Sequence, residues 1–228
     1  MNTALAGLVL LVIGDSHIAG DGRFNNSLHE ALVDQGATVH TFGVCGSVPS
    51  NWMIPSHIVC GRGERHNRDP VQLSMNQTLL GWSLPALISN YHPNIVLIEL
   101  GDNLGQYSLG TSLSRDWITS EVNELLLAVR STNVPCVWIG PTWGTENGPY
   151  NKTFAKVKGL SDMLSQIVAP CHYVDSLAFS QPGEWRTLDG VHLTSASNQL
   201  WAKDLVKSID HIALMLTHRS VAVSVLEK

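Results

Sequence analysis

Five short apolar runs punctuate the sequence, at residues 8–13, 37–42, 94–100, 134–139 and 171–174. The first, Leu-Val-Leu-Leu-Val-Ile, has no polar position at all, as a strand buried on both faces requires. Helical spacing fills the gaps between the runs. Residues 24–35 read as a helix that Gly36 stops. Ile118, Val122, Leu125, Leu126 and Val129 fall on one helical face before the fourth run. Phe154, Val157, Leu160, Leu164 and Ile167 do the same before the fifth. A last helix from about Ser195 carries Leu200, Trp201, Leu205 and Ile209. Strands alternating with helices predict an α/β fold, a three-layer α/β/α sandwich around a five-stranded parallel sheet. No internal repeat or Pro/Gly/Ser-rich linker divides the chain, so residues 1–228 read as one domain. The irregular part runs from residue 44 to about 73. A loop of that length, at the carboxyl end of the second strand, falls where open α/β sheets bind ligands.

Charge narrows the choice of partners. Lys and Arg number 14 against 19 Asp and Glu, a net charge of −5, which leaves no basic stripe to neutralise phosphates and argues against nucleic acid. Charged residues are 14% of the chain, well below the roughly 25% of ordinary soluble domains. The polar surface therefore leans on Ser, Thr, Asn, Gln and Gly, a composition common in secreted and periplasmic proteins. The longest apolar run, 4–13, is shorter than the roughly 20 residues of a membrane-spanning helix, so no stable membrane insertion is expected. No Lys or Arg precedes it, and it leads straight into Gly14-Asp15-Ser16-His17. Its 8–13 portion is read as a strand and not as a leader.

A serine on the turn leaving a buried strand presents its hydroxyl at the sheet's carboxyl edge, but a free hydroxyl needs a base to act as a nucleophile. Asp189-Gly190-Val191-His192 supplies both an imidazole and a carboxylate on one short turn. Together with Ser16 they meet the requirements of a Ser-His-Asp triad. The G-x-S-x-G elbow is absent, which disfavours the α/β-hydrolase fold. Asp15 reads as structural, since the base is already supplied. The competing readings are a helix cap for Ser16 and turn-forming roles for Asp189 and for Asn103, which follows the third apolar run in Gly101-Asp102-Asn103.

Four blocks in order resemble the SGNH (GDSL-like) hydrolases. Gly14-Asp15-Ser16 is similar to the nucleophile block. Gly43-Val44-Cys45-Gly46 is similar to the glycine block, Gly101-Asp102-Asn103 to the G-x-N block, and Asp189-Gly190-Val191-His192-Leu193-Thr194 to the closing D-x-x-H block. The resemblance spans residues 8 to about 205. It implies a flavodoxin-like sheet, with Ser16, His192 and Asp189 catalytic. The oxyanion hole would be built from Ser16, Gly46 and Asn103. Two positions depart from the family pattern: Thr41 stands where an asparagine precedes the glycine block, and Leu104 stands where many members have Asp after the block asparagine. The latter leaves the Asn103 side chain to be supported from elsewhere.

His17 makes the first block G-D-S-H, similar to SGNH domains that move acetyl groups on or off bacterial polysaccharides. The resemblance thus implies an O-acetyltransferase or acetylesterase acting through an acetyl-Ser16 intermediate. Its partners would be a carbohydrate or polysaccharide and an acetyl donor, and the possibility of a membrane-bound donor partner stays open. A lipase or thioesterase on longer acyl chains, and a non-catalytic carbohydrate-binding module, remain as alternatives. Location is expected to be periplasmic or secreted. His17 and Trp143 are the candidate substrate contacts, Trp143 as a flat platform for a sugar ring; the competing reading of His17 is packing against the final helix. Trp52, Trp82 and Trp185 also fall in or near loops.

No H-E-x-x-H spacing and no C-x-x-C pair occur, so neither metal nor cofactor is expected. Cys136 and Cys171 each open a strand-like run; if those strands are parallel neighbours, the two fall within disulfide reach. Cys45–Cys60 would then close a loop beside Gly46. Four free thiols are the alternative.

Overall fold

The computed structural model describes residues 3–20, 24–107 and 112–226, with side chains described through residue 216. Seven strands form one sheet: β1 (Val9–Gly14), β2 (Thr38–Val44), β3 (Arg62–His66), β4 (Gln72–Ser74), β5 (Ile95–Glu99), β6 (Cys136–Ile139) and β7 (His172–Val174). Their spatial order is β4-β3-β2-β1-β5-β6-β7. The five strands expected from the apolar runs pair in parallel. The sheet is nevertheless seven-stranded, not five-stranded, because β3 and β4 add to β2 as an antiparallel extension. These two come from the segment that reads as an irregular loop. β3 is Arg-Gly-Glu-Arg-His, so it shows none of the apolar character by which buried strands are recognised.

The helices are α1 (Ser16–Ala19), α2 (Phe24–Asp34), α3 (Leu84–Tyr91), α4 (Arg115–Thr132), α5 (Phe154–Ile167) and α6 (Ser195–Leu226). Because side chains alternate along a strand, β1 divides its apolar residues between two cores. Leu11 and Ile13 join one with the faces of α3, α4 and α5. Leu10 and Val12 join the other with α2 and α6. The apolar residues foreseen on α4 are all buried. On α6, Trp201, Leu205 and Ile209 are buried whereas Leu200 is exposed, one position off the packed face. α3 has no counterpart in the sequence reading, although Leu84, Leu87 and Ile88 carry helical spacing behind Ser83.

Register brings the motif blocks together. Gly14 lies level with Gly43 on one side and with Glu99 on the other. The chain leaves all three strands at the same carboxyl rim. Gly43 is required there: a Cβ would lie 2.3 Å from the backbone nitrogen of Ala19, so any larger residue would push α1 off β2.

All four cysteines are paired. Cys136–Cys171 joins β6 to the segment entering β7, with Cα atoms 4.6 Å apart. Cys45–Cys60 ties the end of β2 to the start of the antiparallel extension, with Cα atoms 5.3 Å apart. Among the described residues, no helix is long and apolar enough to cross a membrane.

Candidate active site

Ser16 opens α1, directly after β1. The cap of that short helix is Asp15, whose side chain accepts the His17 N–H at 3.0 Å. Ser16 is thus free of the capping role, and its Oγ lies 2.8 Å from His192 Nε2. His192 Nδ1 lies 2.7 Å from Asp189 Oδ2. With the Nδ1 proton donated to the carboxylate, Nε2 is left to accept from the serine hydroxyl; this tautomer is assigned from the network. Asp189 Oδ1 also accepts the backbone N–H groups of Val191 (3.0 Å) and His192 (2.8 Å). Partial burial alone would raise the Asp189 pKa, but the hydrogen bonds from the His192 ring and from these amides hold it below its ordinary value. The closing loop is itself anchored: Thr145 N–H donates to the Gly190 carbonyl at 3.0 Å.

Asn103 sits in a 3-10 turn, Asp102–Gly105, just beyond β5. Its Nδ2 donates to the Ser47 carbonyl at 2.9 Å and to Asp15 Oδ2 at 3.3 Å. This is the support that Leu104 does not give; Leu104 points into the core instead. Thr41, the other departure, is buried and pairs its Oγ1 with His29 Nδ1 at 2.7 Å, and His29 Nε2 donates to the Asn67 carbonyl at 2.6 Å. Burial pushes His29 down to about 4, which keeps the ring neutral, as one donating and one accepting nitrogen require.

Ser16, Gly46, Asn103, Asp189 and His192 line one cleft of about 610 Å³. Cys45, Cys60, Gln106, Tyr107 and Tyr150 complete much of its wall. A groove of about 670 Å³ between α2 and α6 has none of these five residues in its lining. The five residues foreseen for the triad and the oxyanion hole therefore meet in one place.

The two substrate contacts foreseen do not. Trp143 is 9% exposed, packs with Val157 and Leu177, and donates its Nε1 proton to the Leu177 and Ser180 carbonyls. It has no open face for a sugar. His17 is 2% exposed, with its ring edge-on to Trp201 of α6 at 5.9 Å and its Nε2 2.6 Å from Asp102 Oδ2. It packs behind the cleft, against the final helix, and does not face a substrate. The local pattern after Ser16 identified the residue but not which way the short helix turns it.

A buried charged group beneath the cleft is invisible in the sequence. Lys152 is 1% exposed, and its Nζ lies 2.7 Å from Asp102 Oδ2. Tyr107 donates to Asp102 Oδ1 at 3.2 Å. Burial opposes the Asp102 charge, but Lys152 and His17 overcome it and hold the carboxyl well below the usual range. Burial, with Asp102 and Tyr107's other neighbours close by, drives the Tyr107 phenol well above its ordinary value, so it remains a donor. Asp15, His17 and Glu99 also bring ligand-type atoms within 4.8 Å of one another. Burial raises both acids of that trio, Asp15 to about 6 and Glu99 well above the usual carboxylate range, because it disfavours the charged form of each. No spacing rule marks Lys152, a single cation in a polar loop.

No protein-family model matches the chain. Protein BcsX of Komagataeibacter xylinus is 36% identical over 209 residues, covering 91% of this chain and 79% of that protein. Among solved structures, the lipase/acylhydrolase from Enterococcus faecalis matches with a TM-score of 0.58 at 14% identity, over 90% of this chain and 96% of that one. A variant of Axe2, an acetyl-xylooligosaccharide esterase from Geobacillus Stearmophilus, matches with a TM-score of 0.56 at 18% identity, over 92% and 96%. Four motif blocks converging at one sheet rim, the shared architecture and the BcsX relationship lead to one assignment: the chain belongs to the SGNH (GDSL-like) hydrolase family.

Proposed function

We propose that this protein is a serine-dependent acyl-transfer enzyme acting on carbohydrate esters, as an acetylesterase or O-acetyltransferase on a polysaccharide. The observation that carries the reading is the unbroken chain Asp189–His192–Ser16, with contacts of 2.7 and 2.8 Å, opening on a cleft. Ser16 Oγ attacks the ester carbonyl while His192 Nε2 takes its proton, and Asp189 stabilises the resulting imidazolium. The tetrahedral oxyanion is received by the Ser16 and Gly46 backbone N–H groups and by the Asn103 amide. For that, Asn103 turns one N–H from the longer of its two bonds, the one to Asp15. Collapse of the intermediate returns the proton to the leaving alkoxide and leaves acetyl-Ser16. Water then yields acetate, or a sugar hydroxyl yields a new ester, with His192 again taking the proton.

The esterase activity named for Axe2 on acetylated xylooligosaccharides supports the same substrate class. Two disulfides fit a protein working outside the cytoplasm, in the periplasm or beyond it. In the transferase case a partner, membrane-bound or soluble, supplies the acetyl group. The test is incubation of the protein with an acetyl donor and with acetylated and unmodified oligosaccharides. Release of acetate or formation of acetylated sugar, absent in Ser16→Ala, supports the reading. Turnover confined to long-chain esters overturns it in favour of a lipase or thioesterase.

A further inference from the structure

We infer that Lys152 is a positioning residue for acyl transfer at Ser16, acting through Asp102 on His17 and on the turn that carries Asn103. The inference rests on the function proposed above and adds to it a residue that lies outside all four motif blocks.

The connectivity is specific. Asp102 Oδ2 receives Lys152 Nζ at 2.7 Å and His17 Nε2 at 2.6 Å, while Oδ1 receives the Tyr107 hydroxyl at 3.2 Å. Asp102 immediately precedes Asn103 in the 3-10 turn, and His17 immediately follows Ser16 in α1. One buried carboxylate therefore links the backbone of the nucleophile to that of a proposed oxyanion donor. The His17 ring in turn lies 4.9 Å from the His192 ring.

Lys152 has been given room by the chain around it. A Cβ on Gly144 would lie 2.7 Å from Lys152 Cγ and 2.8 Å from the Gly190 carbonyl oxygen. The stem of the lysine thus lies against the same backbone that hydrogen-bonds the Asp189–His192 loop. Burying an ammonium completely is costly unless it is paired, and here it pairs with the Asp102 carboxylate. A lysine needed only for solubility would extend to water. The charge also matters at a distance: without it, the Asp102 carboxylate would lose its ammonium partner one imidazole away from His192. That field favours the protonated base and so opposes catalysis at neutral pH.

The test compares Lys152→Met, Lys152→Arg and the neutral pair Asp102→Asn/Lys152→Met with wild type, on a simple aryl acetate across pH, with thermal unfolding of each. Lys152→Met is expected to lower kcat on the order of tenfold to a hundredfold, with KM changed less than about threefold, since the lost interaction matters to the transition state more than to binding. The acid limb of kcat/KM should move to higher pH, and Lys152→Arg should recover most of both effects. If Lys152→Met does not fold, the neutral pair removes the unpaired charge; it should fold and still lose kcat about tenfold, with no upward movement of the acid limb. A folded Lys152→Met or neutral pair with wild-type kcat and an unmoved pH profile overturns the inference. Inactive wild type would instead defeat the proposed function, so the two failures are distinguishable.

Discussion

Two histidines stand side by side at the carboxyl rim of the sheet, each bound to an aspartate at nearly the same distance. His192 meets Asp189 at 2.7 Å and His17 meets Asp102 at 2.6 Å, with the rings 4.9 Å apart. Chemically the pairs are alike; their surroundings differ. The His192 side chain is 18% exposed and its second nitrogen meets a hydroxyl at the cleft. His17 is buried between Asp102 and Trp201, and its aspartate is shared with a lysine and a tyrosine. A histidine–aspartate pair becomes a base when its far nitrogen faces something that reacts. Enclosed by fixed partners, the same pair becomes scaffolding.

The comparison is open to direct attack. His192→Ala should reduce kcat on an aryl acetate by about 10⁴ or more, and Ser16→Ala by a similar amount, whereas His17→Gln should cost far less in kcat while lowering the unfolding temperature. Equal losses at 192 and 17 would erase the distinction. Asn103→Ala should cost on the order of 10²–10³ in kcat if its amide receives the oxyanion, and a loss below threefold would remove it from the site. Replacing Cys45 and Cys60 with serine opens a link across 15 residues and should destabilise the protein by about 3 kcal/mol, measured by denaturant unfolding. Because that disulfide lines the cleft, a smaller fall in kcat should accompany it, which the corresponding change at Cys136 and Cys171 should not produce.

The smallest effect concerns a third histidine. His29 is held near 4 in the folded protein against about 6.5 when unfolded. Between those values the unfolded chain binds more protons, so this residue's contribution is present above about 6.5 and is lost as pH falls toward 4. Asp15, raised to about 6, works in the opposite sense and loses its contribution as pH rises through 6. The difference in pH dependence of stability between wild type and His29→Gln isolates the histidine. It should show the wild type weakening more steeply on acidification, and parallel curves would contradict the assignment.

What the sequence made legible follows from the same contrast. The triad is legible because Ser16 lies on the turn that leaves an unbroken apolar run, and Asp189 with His192 share one short turn. Strand periodicity and reactive residue type then point to one rim. Gly46 and Asn103 were readable for the same reason, each just past a buried strand. The Cys136–Cys171 pair is legible to the extent that its two strands can be read as parallel neighbours, and Cys45–Cys60 is then the remaining pair. Trp143 was misread because an aromatic after a strand looks the same whether its ring faces a groove or the core; only the two carbonyls that take its Nε1 proton decide it. β3 carries no signal in the sequence because it is held by pairing with β2 and packing against α1, and not by apolar alternation. Lys152 was unreadable because its meaning depends on an aspartate fifty residues away that becomes its partner only in the folded chain.

The most direct test of the account is covalent labelling with a serine-directed fluorophosphonate, followed by peptide mapping of wild type and His192→Ala. The account predicts one modified peptide in wild type, the one containing Ser16, and a labelling rate reduced by orders of magnitude in the variant. Modification at another serine, or an unchanged rate at Ser16 without the imidazole, would contradict it.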